Sequence, residues 1–149
     1  MRANWPAWVR QALLFAAVGM LPDIDFLFGA HSGPTHSLGA AALVAGAVWV
    51  LTGFRAGPAL IGGVFAAYAS HIFLDWLGDD TSAPYGVMAF WPFSYEYFMS
   101  PIATFPAITR RYWLAGFWAQ NLRALVFELV VLGPIVVGVW WARGYERRR

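Results

Sequence analysis

Four apolar runs with almost no charge constrain the fold of this chain more than any other feature. Ala59–Leu77 and Leu122–Trp141 match the roughly 20 residues that a helix needs to cross a bilayer. Leu38–Phe54 holds 17 uncharged residues, and Ala12–Leu21 is long enough only if it is counted from Trp5. Only 12% of all residues are charged, against about 25% in soluble domains. The sequence therefore predicts an all-α, polytopic membrane bundle of about four transmembrane helices.

The segment Gly78–Tyr112 does not fit this pattern of apolar runs. Its prolines make it too broken for a membrane span, and its aromatic residues make it too apolar for a disordered linker. We expect an irregular, aromatic cap at the membrane interface. Because no repeat or low-complexity tract divides the 149 residues, we expect a single membrane domain, 1–149. A net charge of +2 is too small to suggest a nucleic-acid partner.

All three histidines lie close in sequence to an aspartate or to another histidine. Imidazole and carboxylate together bind divalent cations, with zinc as the first expectation and Mn, Fe or Mg as alternatives. His71 and Asp75 are four residues apart, so one helical face presents both to the same ion. Asp23 and Asp25 alternate, so in an extended or turn segment both carboxylates point the same way. The candidate ligands of one or more ions are Asp23, Asp25, His31, His36, His71 and Asp75.

Each of these residues also has a plainer interpretation. Asp23 and Asp25 would serve as helix caps or solvated loop acids, and His71 and Asp75 as a buried hydrogen-bonded pair. His31 and His36 would be loop histidines without a partner. Thr35 and Ser37 are expected to orient the ligands or cap the next helix rather than to act as nucleophiles. Four further acids lie outside this set. Asp79 and Asp80 are expected to be solvated loop acids, and Glu128 is expected to pair with an arginine or to belong to the site. Glu96 has no assigned role.

The arginines predict how the chain lies in the membrane, because positive residues are enriched on the cytoplasmic side. All ten basic residues are arginines. With four spans, seven fall on one side: Arg2, Arg10, Arg55, Arg143, Arg147, Arg148 and Arg149. The other three are Arg110, Arg111 and Arg123. We therefore expect both termini in the cytoplasm and the two histidine–aspartate clusters on the extracytoplasmic face.

Several short motifs, in this order, resemble the YdjM-like family between Leu21 and Ser94. They are Pro22-Asp23-Ile24-Asp25, His31-Ser32-Gly33-Pro34-Thr35-His36-Ser37, His71-x-x-x-Asp75, Tyr85-Gly86-Val87 and Trp91-Pro92-Phe93-Ser94. The resemblance implies a membrane-bound, metal-dependent hydrolase of the prokaryotic cytoplasmic membrane, with the six candidate ligands in the metal-site roles. Ser32 stands where the family usually has an arginine, and no histidine precedes His31, where members often carry one.

The expected chemistry is hydrolysis of a phosphoester by a metal-activated water. The chain has no cysteine and no evident Ser–His–Asp arrangement, which leaves water as the nucleophile. Asp25 and Asp75 are the candidate catalytic bases. The candidate substrate residues are Arg110 and Arg111, for the phosphate, and Trp91. The apolar cap favours a membrane lipid or lipid-linked substrate.

Two alternatives of other classes stay open. A non-catalytic membrane protein would use the metal to pin a loop to a helix, and such a metal would be fully ligated by protein. A divalent-cation transporter component would place its ligands near the bilayer midplane.

Overall fold

A computed structural model describes residues 5–28, 32–81, 83–109 and 111–146. Apart from isolated bridges, the described residues contain helices and no strand, which confirms the all-α prediction. The helices are α1 (Ala7–Gly19), a 3₁₀ helix (Leu21–Phe28), α2 (Leu38–Leu51), α3 (Pro58–Leu77) and α4 (Phe117–Glu146).

Helix α3 is the centre of the bundle, because α1 and α2 both pack against it. Ala41 and Ala45 lie one turn apart on α2 and are buried, and small side chains of this kind let two helices approach closely. The core consists of Val18 of α1, Ala41 and Ala45 of α2, Val64, Tyr68 and Ile72 of α3, and Val87 of the cap.

The helix lengths support two or three membrane spans. Helices α3 and α4 are long and apolar enough to cross a bilayer, and α1 with the 3₁₀ helix qualifies if the pair, bent by 41°, is one broken span. Helix α2 has 14 residues, hence a length of about 21 Å against a hydrocarbon core of about 30 Å. It ends before the predicted Phe54 because Gly53 and Phe54 both adopt positive φ angles, near 61° and 62°. A fourth span therefore stays a prediction.

The described part of 78–116 forms the expected irregular cap. Its backbone is hydrogen bonded to the helices: Leu38 N–H donates to the Ala89 carbonyl over 2.9 Å, and Ser100 N–H donates to the Trp76 carbonyl over 3.0 Å. The cap thus lies over the beginning of α2 and the end of α3.

Helix α4 stands apart from the other helices. No Cα atom of it lies within 8 Å of the other described helices. It is held by the cap instead: the Asn121 side chain bonds both the N–H and the carbonyl of Thr109 at 2.9 Å, and Phe127 meets Phe105 edge-on. A gap consequently separates α3 from α4.

We predict that Gly39→Ala destabilises the protein, because a methyl group there would collide with the Trp91 carbonyl oxygen of the cap. Overpacking of this kind costs about 1–3 kcal/mol. Gly46→Ala, on the same helix, is the matched control, because a methyl group there meets nothing within 4 Å. Thermal unfolding in detergent should show a lower midpoint for Gly39→Ala alone. Equal midpoints for the two variants would mean that α2 and the cap do not approach each other closely.

Candidate metal centre

Three helix ends bring the two predicted clusters together. Asp23 lies in the 3₁₀ helix that follows α1, His36 lies just before α2, and His71 and Asp75 lie in the last turns of α3. Ser37 starts α2 at this point, because its hydroxyl accepts a hydrogen bond from Ala40 N–H at 2.9 Å and donates one to the Pro34 carbonyl at 2.6 Å. Capping thus fixes His36 at the amino end of α2.

Four side-chain atoms converge at this end of the bundle, two imidazole nitrogens and two carboxylate oxygens. His36 Nε2 lies 3.2 Å from Asp75 Oδ2 and 3.7 Å from Asp23 Oδ1. His71 Nε2 lies 3.3 Å from Asp75 Oδ2 and 3.5 Å from Asp23 Oδ1. Ligand atoms of Asp23, His36 and His71 all lie within 4.8 Å of one another.

These distances fit a zinc-sized cation. Zinc–nitrogen and zinc–oxygen bonds of about 2.0–2.1 Å separate the ligands of a tetrahedral site by about 3.3 Å. His71 Nε2 and Asp75 Oδ2 are withdrawn from solvent and lie 3.3 Å apart, and neither makes a well-aligned hydrogen bond. A buried polar atom without a hydrogen bond is costly, whereas a shared cation would satisfy both atoms. The donor set therefore suits a divalent metal better than the buried-pair interpretation of His71 and Asp75.

Asp25 lies on the other side of the His36 ring, which differs from the expectation that it points with Asp23. Its Oδ2 is 3.2 Å from His36 Nδ1 and accepts a 3.0 Å hydrogen bond from the Thr35 hydroxyl. A 3₁₀ helix has three residues per turn, so residues two apart point in different directions. Asp25 thus contacts the nitrogen of His36 opposite the four converging atoms, as do carboxylates that orient a metal-binding histidine.

Tyr68 supports the site from inside the bundle, and sequence reasoning missed it. Its side chain is buried and its hydroxyl donates a 2.8 Å hydrogen bond to the Thr35 carbonyl, which ties the His36 loop to α3. The available signal was its position three residues before His71, on the same helical face.

A cleft of about 480 Å³ opens beside the centre. Asp23, His71 and Asp75 line it, so any bound cation would be reached from the cleft. The remaining walls come from the cap, the 3₁₀ helix and α4. The other acids of its lining are Asp79, Asp80 and Glu128, and its larger apolar residues are Phe26, Leu74, Val87, Phe105, Ile108 and Leu132.

The structure does not bring all predicted site residues to this cleft. Arg111 and Trp91 do not line it, since Arg111 is exposed at the approach to α4 and the Trp91 backbone packs on α2. His31 and Arg110 lie outside the described residues. Glu128 lines the cleft with Asp75 instead of pairing with an arginine side chain that the structure describes.

The aromatic residues of the cap form a second, apolar groove. Phe90 and Phe98 face Ile72, Phe73 and Trp76 of α3 across it, with a volume of about 320 Å³. Among the residues that the structure describes, its lining bears no charged side chain, and only Val87 belongs to both this groove and the metal cleft.

The fold and the site define a class, a small helical membrane protein with a candidate histidine–aspartate metal centre at one end of its bundle. The sequence profile of the YdjM inner membrane protein family matches residues 2–145. The chain belongs to this family, as its motifs indicate. No match was found among curated proteins or among solved structures.

Proposed function

We propose that this protein is a membrane-embedded, metal-dependent hydrolase that cleaves a phosphoester of a lipid or lipid-linked molecule. The observation that carries the proposal is the position of the converging donors, of which Asp23, His71 and Asp75 lie on the wall of a cleft with both polar and apolar sides. Catalytic metal sites leave a position open to water or substrate, and a cleft provides that access.

The side chains divide into ligands and residues that position them. Asp23, His36 and His71 would hold the cation, with zinc as the first candidate, and a fourth position would stay open. When bound, such a cation activates water at neutral pH and polarises a phosphoryl oxygen. Asp25, together with Thr35, fixes the ring of His36 so that Nε2 faces the other donors.

Asp75 is the better candidate for the catalytic base. Of the two proposed bases, only Asp75 lines the cleft, where a proton from the attacking water would be released. Asp25 does not line it, and we therefore assign Asp25 a positioning role.

The described lining of the cleft contains no arginine side chain, and it bears five carboxylates, those of Asp23, Asp75, Asp79, Asp80 and Glu128. An anionic phosphoester would be repelled by these acids unless a cation neutralised part of their charge. Substrate binding, and not only turnover, should therefore require the metal. The departure from the family at Ser32, which lines the same cleft, agrees with recognition without an arginine.

A structural metal is the second candidate, and one observation favours it. The four donors come from three separate segments, so one ion would pin the 3₁₀ helix and the loop before α2 to α3. Four protein ligands would also complete a tetrahedral, closed site.

We further propose four spans, with both termini in the cytoplasm and the metal centre on the extracytoplasmic side. The end of α1, the beginning of α2 and the end of α3 meet at the centre, which is the arrangement of antiparallel neighbours. The seven-arginine side is then cytoplasmic. Helix α2 would span with the help of its flanking turns or of a locally thinner bilayer.

The function is tested by incubating zinc-loaded protein in detergent with a panel of phospholipids and polyprenyl phosphates. We expect release of phosphate or head group that stops when a chelator removes the metal. Asp75→Asn should lower the rate by about 10²–10⁴-fold, since it removes the proposed base. Ser70→Ala is the control, because the Ser70 hydroxyl is exposed and donates its hydrogen bond within its own helix, to the Ala67 carbonyl. Metal-loaded, folded protein that is inert across the panel would favour the structural-metal candidate.

A further inference from the structure

The metal cleft lies between two candidate membrane spans that do not pack against each other. Helix α3 contributes His71, Leu74 and Asp75 to its walls, and α4 contributes Glu128 and Leu132. Glu128 and Leu132 are four residues apart and share the face of α4 that is turned to the cleft. Since no Cα atoms of α3 and α4 approach within 8 Å, the space between them is not closed by helix packing.

One region of the cleft wall is polar and another region is apolar. The converging donors Asp23, His71 and Asp75 mark the polar part. Leu74 and Leu132, from the two facing spans, belong to the apolar part. A single cavity with both kinds of wall fits an amphiphile, whose head group and hydrocarbon chain need different surroundings.

The size of the cleft decides how such an amphiphile must lie. A volume of about 480 Å³ is that of a site for a drug-sized ligand, which is smaller than a whole membrane lipid. The cleft can take the head group and the first part of the chain, while the rest of the chain stays in the bilayer. That requires a lateral opening, and the gap between α3 and α4 provides one. The groove in the cap is a poorer site, because its described lining residues include no charged group to bind a head group.

We propose that a membrane lipid enters the metal cleft sideways from the bilayer, through the gap between α3 and α4. Its head group lies at Asp23, His71 and Asp75, and its chain passes between Leu74 and Leu132. This inference rests on the proposed function for the reaction, but the mode of binding can be tested without turnover. Leu132 is a positioning residue for the chain and touches no reacting atom.

The first test narrows the gap with Leu132→Trp. Val130→Trp is the matched control, since Val130 lies on the far side of the same helix and is 66% exposed. We expect Leu132→Trp to lower the hydrolysis of long-chain phospholipids at least tenfold, and to leave bound zinc and the hydrolysis of a water-soluble, short-chain analogue unchanged. Equal effects on both substrates, or no effect on the long-chain one, would overturn lateral entry.

The second test does not depend on hydrolysis. A photoreactive amino acid replaces Leu74, which is only partly exposed, and the protein is placed in vesicles of phosphatidylethanolamine and phosphatidylglycerol. We expect a lipid adduct that Leu132→Trp abolishes and Val130→Trp preserves. Absence of the adduct, with the exposed Phe73 position still forming one, would overturn the inference even if the protein hydrolyses lipids. An adduct on protein that is inert across the panel would contradict the proposed reaction and leave the lateral site standing.

Discussion

Replacing His36 by alanine is expected to lower the zinc affinity of the purified protein by at least about 100-fold. Residues that merely orient a metal ligand contribute about 10–100-fold, and a direct ligand should matter at least as much. His36 Nε2 is within 3.7 Å of both Asp23 and Asp75, and the ring is fully buried. Without it, the two carboxylates would face each other with one imidazole fewer between them.

Two further variants, Asp25→Asn and Ser70→Ala, are expected to have smaller effects on zinc affinity than His36→Ala. Asp25→Asn should weaken zinc binding by about 10–100-fold, because it removes the charge beside His36 Nδ1 and leaves the converging donors in place. Ser70→Ala, on the turn that carries His71, should leave the affinity at the wild-type value. Zinc affinity is measured by competition with a chromophoric chelator.

Thermal unfolding with and without zinc shows whether a variant has lost zinc binding or has lost its folded structure. Zinc at about 100 times its dissociation constant should stabilise the wild-type protein by roughly 2.7 kcal/mol, a shift that His36→Ala should lack. A wild-type protein that binds no zinc, or a variant with unchanged affinity, would show that the histidines only pack the core.

The sequence predicted the parts of this site that depend on local spacing. The four-residue interval of His71 and Asp75 was sufficient, because both residues lie within one helix. The order of the apolar runs predicted that Asp23 and His36 lie near His71 and Asp75. If consecutive runs each cross the membrane, the chain returns to the same membrane face after every second run.

The role of Asp25 could not be predicted in the same way. The spacing of Asp23 and Asp25 was known, but the direction of the two side chains depended on the backbone between them. In an extended segment they would have pointed together, whereas the 3₁₀ helix directs Asp25 toward His36 Nδ1 and Asp23 toward the cleft. A hydrophobic pattern of eight residues does not distinguish these backbones.

Contacts between segments that are distant in sequence also could not be predicted from the sequence. In the sequence, Tyr68 is an ordinary aromatic residue of an apolar run. Its hydroxyl donates a hydrogen bond to the carbonyl of Thr35, 33 positions away, which local spacing does not predict. Glu128 lines the cleft because the cap holds α4 across from α3. The hydrophobic pattern of α4 alone does not predict that position.

Single cysteines at Gly33 and Gly57 are expected to report opposite sides of the membrane. The native chain has no cysteine, so each variant carries one thiol. Gly57 is exposed and Gly33 is buried, but a side chain added at either position extends into open space, with no other atom within 4 Å. We therefore expect both thiols to be reachable and the fold to be undisturbed. Gly33 lies beside the metal centre, and Gly57 lies with Arg55 between α2 and α3.

In intact cells, an impermeant maleimide should label Gly33→Cys and leave Gly57→Cys unlabelled until the membrane is opened. Labelling of a cytoplasmic protein serves as the control for leakage. The reverse pattern would place the metal centre in the cytoplasm, so that any lipid would be drawn from the inner leaflet. Equal labelling of both positions in sealed cells would place them on one side, and α2 would then be a re-entrant segment. The 14-residue length of α2 makes this the most demanding test of the four-span arrangement, because Gly33 and Gly57 are separated by α2 alone.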